Sequence, residues 1–398
     1  MSQPRRHAGD LRGVTRLAVT ATKGVTEVVE EMHRTIASGP AILGQPLSRP
    51  VRALLPFVYG PVRGVTGLVG TSLDTVLARL DRLLGESVPG AERDAVVSAL
   101  NGVLGDHLEQ TGNPLAIAMG LRSGNLPLSL EADALVAQLP GATGKALVLV
   151  HGSSMNDRQW HRSGHDHGAA LARDLGYTPI YVRYNSGLHI STNGRALSLL
   201  LEALVKAWPV PLSEITLLGH SMGGLVARSA CHAASLDERR WPATLRRLVC
   251  LGSPHHGSPL ERGGNLIDVL LGISAYSAPL ARLGQIRSAG VTDLRYGNVI
   301  DEDWHNRGRF ARSRDVRRGL ALPPDVDCFA IAGTLTNAMA QKLLGDGLVP
   351  VDSALGRHER PELTLAFPPE HQWVALGTGH LDLLSSKAVY EKLQAWLT

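Results

Sequence analysis

The pattern of hydrophobic and polar positions divides the chain into a helical first part and a mixed second part. Up to about residue 110, apolar side chains recur three and four positions apart, which puts an apolar stripe on each of three predicted helices. The stripes cover 14–36, 65–84 and 95–108. We expect 1–140 to be an accessory helical region, with three roles left open: packing on the main domain, joining copies into a homo-oligomer, or peripheral contact with a membrane.

After residue 140, short apolar runs alternate with helical patterns. The predicted strands are 145–150, 180–184, 214–218, 245–251, 327–332 and 362–367. The predicted helices are 168–174, 194–207, 222–234 and 385–397. Such alternation is typical of a parallel sheet covered by helices on both faces, so we expect an α/β catalytic domain over 141–398. Because 255–325 is too long for a simple connection, it is predicted to be an inserted cap.

Composition excludes several classes of protein. With 44% hydrophobic and 19% charged residues, the chain has the make-up of a globular protein. A net charge of +4 is too small to indicate a nucleic-acid partner. Six arginines between positions 307 and 318 are expected to face water in a solvated loop. No apolar run approaches the roughly 20 residues of a membrane span.

The compartment follows from cysteine usage and the start of the chain. The three cysteines are scattered, so neither a disulfide framework nor a CxxC metal site is expected. Charged residues near the N-terminus are not followed by an apolar segment, so we expect no secretory signal. A cytoplasmic location is the expectation.

The strongest chemical motif is the segment 219–223, Gly-His-Ser-Met-Gly. It follows a predicted strand and opens a predicted helix, which is the context of a nucleophile elbow. Small residues on both sides let strand and helix close around the serine, whose backbone is strained. The turn then presents the Ser221 hydroxyl at a helix N-terminus, where backbone N–H groups favour negative charge.

The chain resembles the α/β-hydrolase superfamily, and within it the serine lipases and esterases. More narrowly, it is similar to bacterial lipase-like proteins related to the GPI inositol-deacylase group. The resemblance covers about 144–398. It rests on His151-Gly152, on Gly-His-Ser-Met-Gly-Gly at 219–224, on Gly-Ser-Pro-His-His-Gly at 252–257, on Gly-Asp-Gly-Leu-Val-Pro at 345–350 and on Gly379-His380. It implies the α/β-hydrolase fold, a mostly parallel sheet with helices on both faces.

The same resemblance implies an acid and a base in the chain order Ser, acid, His. Asp346 lies in the segment that matches the acid loop of the family, with Asp352 as the main alternative and Asp325 and Asp327 as others. His380 directly precedes the last predicted helix, where the family keeps its catalytic histidine. His371, in the same predicted loop, is the alternative. His380 would take the proton from Ser221, and Asp346 would orient the imidazole.

Two backbone N–H groups are expected to form the oxyanion hole. One belongs to Met222, the residue after the nucleophile. The other belongs to Ser153, in the loop after the first core strand, with Ser154 as the alternative. Ser154, Trp160 and His255 are further predicted to contact substrate. Trp160 lies in a loop after a strand end, and His255 comes too early in chain order to be the base and is expected to shape the pocket.

His161, His165 and His167 form a dense cluster with Asp157 and Asp166, and histidines with a carboxylate at such close spacing could ligate zinc. The predicted chemistry needs no metal and no cofactor, and we expect these side chains to form hydrogen bonds at a helix start instead. The expected activity is that of a carboxylesterase or lipase acting on a small-molecule or lipid-like ester through an acyl-enzyme. The alternatives are an acyltransferase, thioesterase or amidase with the same residues, and a non-catalytic scaffold.

Overall fold

The computed structural model describes residues 90–258, 288–305, 315, 317–336 and 345–398. The chain divides into two compact units. The first is Met1–Ile117 with Ile267–Ser288, and the second is Ala118–Leu266 with Ala289–Thr398. The predicted stripes over 14–36 and 65–84 lie outside the described residues, as does the middle of the predicted cap. None of the helices in the described stretches is both long and apolar enough to cross a bilayer.

In the first unit, the third predicted stripe forms helix α1, Gly90–Gln110. Asn101 is buried, and so are these positions of the predicted stripe: Ala95, Ala99, Leu100, Val103, Leu104 and Leu108. The Asn101 amide donates to the carbonyl of Leu115 (2.8 Å), and its oxygen accepts the N–H of Ile117 (2.9 Å). A buried polar side chain therefore ties the segment after α1 back onto the helix.

The second unit is built on an eight-stranded sheet in the order β2-β1-β4-β3-β5-β6-β7-β8. Pairing is parallel from β4 to β8 along this order and antiparallel at β1. The strands are β1 (Gly120–Ser123), β2 (Leu126–Pro127), β3 (Lys145–Val150), β4 (Thr178–Arg183), β5 (Glu214–His220), β6 (Leu245–Leu251), β7 (Asp327–Thr334) and β8 (Gln372–Leu376).

Helices cover the central strands, which is why most positions of those strands are apolar. Residues 146–150 of β3, for example, have no exposed surface. The remaining described helices are α2 (Ala132–Gln138), α3 (His167–Leu175), α4 (Ile190–Ala207), α5 (Met222–Leu236), α6 (Ala289–Asp293), α7 (Val351–Ala354) and α8 (Lys387–Leu397). One core cluster joins α3 and α8 to the central strands through Leu171, Leu393 and Leu149. The architecture is that of an α/β-hydrolase, and the predicted fold class is confirmed.

Two parts of the sheet differ from the prediction. The predicted strand 362–367 is wrong: Pro361–Leu363 forms a 3-10 turn, and the strand of that region is Gln372–Leu376. That strand lies at the sheet edge and is only partly buried, so it carries a weak hydrophobic pattern. In addition, β1 and β2 fall within 1–140, which was expected to be helical. Both are short, and β2 is exposed, so neither leaves a periodic signal.

Of the arginine run, only Arg317 and Arg318 are among the described residues, and the first of them differs from the prediction. Arg318 is exposed as expected, but Arg317 is only 6% exposed. Its guanidinium pairs with Asp315 (2.9 Å) and donates to the carbonyls of His255 and Gly297 (3.0 Å each). Because a buried cation needs such partners, this arginine ties three chain segments together instead of facing water.

Candidate active site

Ser221 lies at the sharp turn between β5 and α5. Its backbone has φ +54° and ψ −125°, a conformation that residues with a side chain rarely adopt. Such strain costs about 1–3 kcal/mol and persists only where the surroundings impose it. Here the Ser221 N–H donates to the Leu251 carbonyl at the end of β6 (2.8 Å), and its carbonyl accepts from Gly224 (3.1 Å). The turn is therefore fixed to the neighbouring strand.

Glycines make this turn sterically possible, as predicted. A Cβ atom at Gly223 would lie 2.0 Å from the Val150 carbonyl oxygen, and one at Gly219 would lie 2.4 Å from the Gly224 nitrogen. At Gly224 it would meet the Ser253 hydroxyl at 2.1 Å. Strand, helix and neighbouring loops therefore approach each other more closely than any side chain allows.

We expect Gly223→Ala to abolish folding of the second unit, because its Cβ meets backbone atoms of β3 that cannot move aside. The measurement is the yield of soluble protein and its thermal unfolding. Gly141→Ala is the matched control, since nothing lies within 4 Å of a Cβ there. A Gly223→Ala protein that unfolds within a few degrees of the wild type would contradict this packing.

A buried acid and a buried histidine face each other beside this turn. His380 Nδ1 lies 2.7 Å from Asp346 Oδ2, and the His380 N–H donates to the Asp346 carbonyl (3.0 Å). The second carboxylate oxygen, Oδ1, accepts the N–H groups of Leu348 (3.0 Å) and Val349 (2.8 Å). Both oxygens are thus engaged by donors, which fixes the carboxylate and, through Nδ1, the plane of the imidazole.

Two links bring Ser221 and His380 to the same place. His220, the residue before Ser221, has its Nε2 3.0 Å from the His380 carbonyl. The second link is Gly252, which follows Leu251, the residue whose carbonyl accepts the Ser221 N–H. A Cβ at Gly252 would lie 3.1 Å from Asp346 Oδ2 and 3.3 Å from His380 Nδ1. The structure therefore gathers the three predicted residues at the carboxyl ends of the central strands.

The alternative residues lie elsewhere. Asp352 is exposed and near Arg357 (3.7 Å). Asp325 is exposed just before β7, and Asp327 is the first residue of β7, at the end of the strand remote from Asp346. His371 lies in the turn just before β8, with its ring against Phe329 (centroids 4.0 Å apart).

The predicted oxyanion donors flank Ser221. Met222 is the first residue of α5, so its N–H has no acceptor within the helix. The loop after β3 comes close to the serine, because a Cβ at Gly152 would lie 3.0 Å from Ser221 Cβ. Ser154 donates its N–H to the Ser186 hydroxyl (2.9 Å), which favours Ser153 over Ser154 as the second donor. Within the described part of the chain, neither the Ser153 nor the Met222 amide has a hydrogen-bond acceptor.

Two residues expected to contact substrate are instead almost fully buried. Trp160 is 1% exposed and lies edge-on to His220 (centroids 6.4 Å apart). His255, also 1% exposed, places Nδ1 3.2 Å from the Arg228 guanidinium and its ring near Phe367. In this structure both rings serve packing, and their contact with substrate remains a prediction.

The sequence indicates Asp157 only as a member of the histidine cluster, but the structure gives it a role in positioning the site. Asp157 is buried in the loop after β3 and forms ion pairs with Arg122 of β1 (2.9 Å) and Arg183 of β4. These contacts fix the loop that carries Ser153 to the sheet. The sequence gives no signal of this role, because Arg122 lies 35 residues before Asp157 and Arg183 lies 26 residues after it.

His165 and His167 form hydrogen bonds at a helix start, as expected, whereas His161 is exposed. Asp166 caps α3 by accepting the Ala169 N–H (2.9 Å). His165 Nε2 lies 2.8 Å from His167 Nδ1, and His167 Nε2 donates to the Leu383 carbonyl (2.9 Å). This contact links α3 to the chain just after His380.

Buried neutral histidines predict a loss of stability in acid. Burial lowers the pKa of His151, His167 and His256 from 6.5 to about 4. Between pH 6.5 and 4 the unfolded chain therefore binds more protons than the folded one, so the free energy of unfolding must fall as the pH drops through this window. We expect the melting temperature to fall steadily from pH 7 to pH 5.

The contribution of one histidine can be isolated by substitution. We expect His167→Gln to melt lower at pH 7 and to lose less on acidification, whereas the matched change at the exposed His161 should leave the slope unchanged. Thermal unfolding of the three proteins at pH 7, 6 and 5 measures this. A wild-type melting temperature that stays level or rises toward pH 5 would refute the prediction.

Comparison with known proteins agrees with this architecture. Residues 141–317 match the family described as PGAP1-like alpha/beta domain. A triacylglycerol lipase from Burkholderia plantarii is 28% identical over 147 residues, which are 36% of this chain and 38% of the relative. This chain thus spans well under half of the length of that curated relative.

Solved structures are similar at low identity. The mature Bacillus licheniformis lipase BlEst2 is 17% identical with a TM-score of 0.42, and the match covers 71% of this chain and 98% of that one. EstA from Clostridium botulinum is 14% identical with a TM-score of 0.41, covering 65% and 88%. The family match and the curated relative confirm the resemblance predicted from the motifs.

Proposed function

On the premise that the chain is a lipase-like protein of the α/β-hydrolase fold, we propose that it hydrolyses carboxylic esters through an acyl-enzyme on Ser221. The observation that carries the proposal is the buried Asp346–His380 pair beside the strained Ser221. A strained serine, an oriented imidazole and two unoccupied amides are the parts that acyl transfer requires.

In the first step, His380 Nε2 accepts the proton of the Ser221 hydroxyl as the oxygen attacks the ester carbonyl. The Met222 and Ser153 N–H groups stabilise the negative oxygen that forms. The C–O bond to the alcohol then breaks, and His380 returns the proton to the departing alkoxide. In the second step water attacks the acyl-enzyme, releasing the carboxylic acid and free Ser221.

Asp346 supports both steps without contacting substrate. Its Oδ2 accepts the Nδ1–H of His380, which keeps Nε2 unprotonated and directed away from the acid. The carboxylate also stabilises the imidazolium present after proton transfer. Because the acid is 3% exposed, this interaction is poorly screened by solvent.

The test is covalent labelling together with turnover. A fluorophosphonate should label the folded protein on one serine, and peptide mass spectrometry should identify it as Ser221. p-Nitrophenyl esters of two to twelve carbons should be hydrolysed, and their relative rates define the acyl chain that the protein accepts. Absence of both labelling and hydrolysis would refute the proposal and favour a scaffold.

The acyl acceptor is tested in the same assay. We propose water as the acceptor, so added alcohol or amine should leave the free acid as the main product. Predominant transfer to the alcohol would identify an acyltransferase instead. The substrate is proposed to be a small-molecule or lipid-like ester, which the chain-length series also examines.

A further inference from the structure

His220 ends β5 immediately before Ser221 and has no exposed surface. Its Nε2 lies 3.0 Å from the carbonyl of His380, and the two rings are 4.8 Å apart between centroids. On its other side, a Cβ at Gly152 would lie 3.2 Å from His220 Nδ1. One imidazole therefore touches both the loop that carries the base and the loop that carries the Ser153 amide.

The direction of the hydrogen bond fixes the state of this ring. A carbonyl oxygen only accepts, so Nε2 of His220 must carry the proton and donate it. Burial, and next the repulsion that a protonated His220 would meet from a protonated His380, lower the pKa of His220 well below 6.5, so the ring is neutral and Nδ1 is unprotonated. Within the described residues, Nδ1 has no hydrogen-bond partner.

This bond acts on the backbone of the base. Asp346 binds His380 twice: its carboxylate accepts from the side-chain Nδ1, and its carbonyl accepts the backbone N–H. His220 binds the remaining backbone polar atom of His380, the carbonyl oxygen. The nucleophile is the next residue after His220, so the bond links the positions of Ser221 and His380 directly.

We propose that His220 is a positioning residue that fixes His380 relative to Ser221 by donating Nε2–H to the His380 carbonyl. This rests on the proposed function of the site. The hydrogen bond has no part in proton transfer, so its removal should loosen the base without changing the chemistry. Misplacement of a catalytic group by about 1 Å can reduce the rate by about 100-fold.

The test compares His220→Phe with His220→Gln. Phe fills the space without a donor, whereas the Gln amide can donate from nearly the same point as Nε2. We expect Phe to lower kcat, counted per fluorophosphonate-labelled site, by about 10- to 100-fold with little change in KM, and Gln to restore most of it. Counting labelled sites removes the effect of a smaller folded fraction.

A second buried histidine provides the matched control. His167 also donates Nε2–H to a carbonyl, that of Leu383 (2.9 Å), but it does not adjoin the serine. His167→Phe should lower the melting temperature and leave kcat per labelled site within about twofold. If His220→Phe behaves in the same way, or if Gln is as slow as Phe, His220 is only structural and the proposal is wrong.

A measurement without substrate separates this proposal from the proposed function. In nitrogen-15 NMR of the full chain at pH 6, the signal that disappears in His220→Gln should be a neutral imidazole protonated on Nε2. A ring protonated on Nδ1, or a charged one, would overturn the positioning role even if esters are hydrolysed. Failure of the wild type to label or hydrolyse would overturn the ester-hydrolase function, while the NMR result still decides the hydrogen bond.

Discussion

Replacing Ser221 with Ala is expected to lower kcat for ester hydrolysis by about 10⁴- to 10⁶-fold. The hydroxyl is the atom that forms the acyl-enzyme, and no other group at this turn can replace it. The residual rate would come from the Met222 and Ser153 amides and from substrate binding alone. Fluorophosphonate labelling should disappear in the same variant.

Ser229→Ala is the matched control, since Ser229 is also buried and lies within α5, the helix that Ser221 directly precedes. Its activity should stay within about twofold of the wild type. Ester hydrolysis that survives in Ser221→Ala, after contaminating esterases are excluded by labelling, would refute the acyl-enzyme mechanism.

Asp346→Asn is expected to lower kcat by about 10⁴-fold while the protein stays folded. Asn has one oxygen and one NH₂ group, whereas both oxygens of Asp346 accept hydrogen bonds. If the NH₂ faces His380, the imidazole must turn Nδ1 into an acceptor and carry its proton on Nε2, where it cannot act as a base. If the NH₂ group faces Leu348 and Val349, it meets their backbone N–H groups, which are also donors, and the loop must shift.

The exposed acid of the same region gives the control. Asp352→Asn should retain nearly full activity, because the Asp352 side chain is 64% exposed and its ion pair with Arg357 (3.7 Å) is screened by solvent. The kcat and KM of both variants toward one p-nitrophenyl ester decide the matter. A larger loss in Asp352→Asn than in Asp346→Asn would reassign the acid.

The sequence predicted those parts of the fold whose signal is local. β3 is a continuous apolar run, and the turn at Ser221 needs glycines at fixed positions around the serine. Both elements can therefore be predicted from the local sequence alone. The chain order of acid and base came from the resemblance, and the structure brings Asp346 and His380 within hydrogen-bond distance. The catalytic roles of these residues remain proposals.

The parts that could not be predicted depend on distant partners. β8 is a partly exposed edge strand, and the nearby stretch 362–367 has the stronger apolar pattern, which wrongly predicts the strand there. Arg317 is buried because Asp315 and two carbonyls surround it, which a run of arginines does not reveal. Trp160 follows a strand end, as pocket residues do, yet it completes the core.

The backbone angles of Ser221 make thermal stability and catalytic activity conflict at this one position. Glycine adopts a positive φ readily, so the free energy of unfolding of Ser221→Gly should exceed that of the wild type by about 1 kcal/mol. The variant should have no esterase activity, because it lacks the nucleophile. Calorimetry of the two proteins would measure the difference. Directed evolution that selects this protein for thermal stability alone would therefore favour the loss of the Ser221 hydroxyl. Each round of selection would also have to measure product formation.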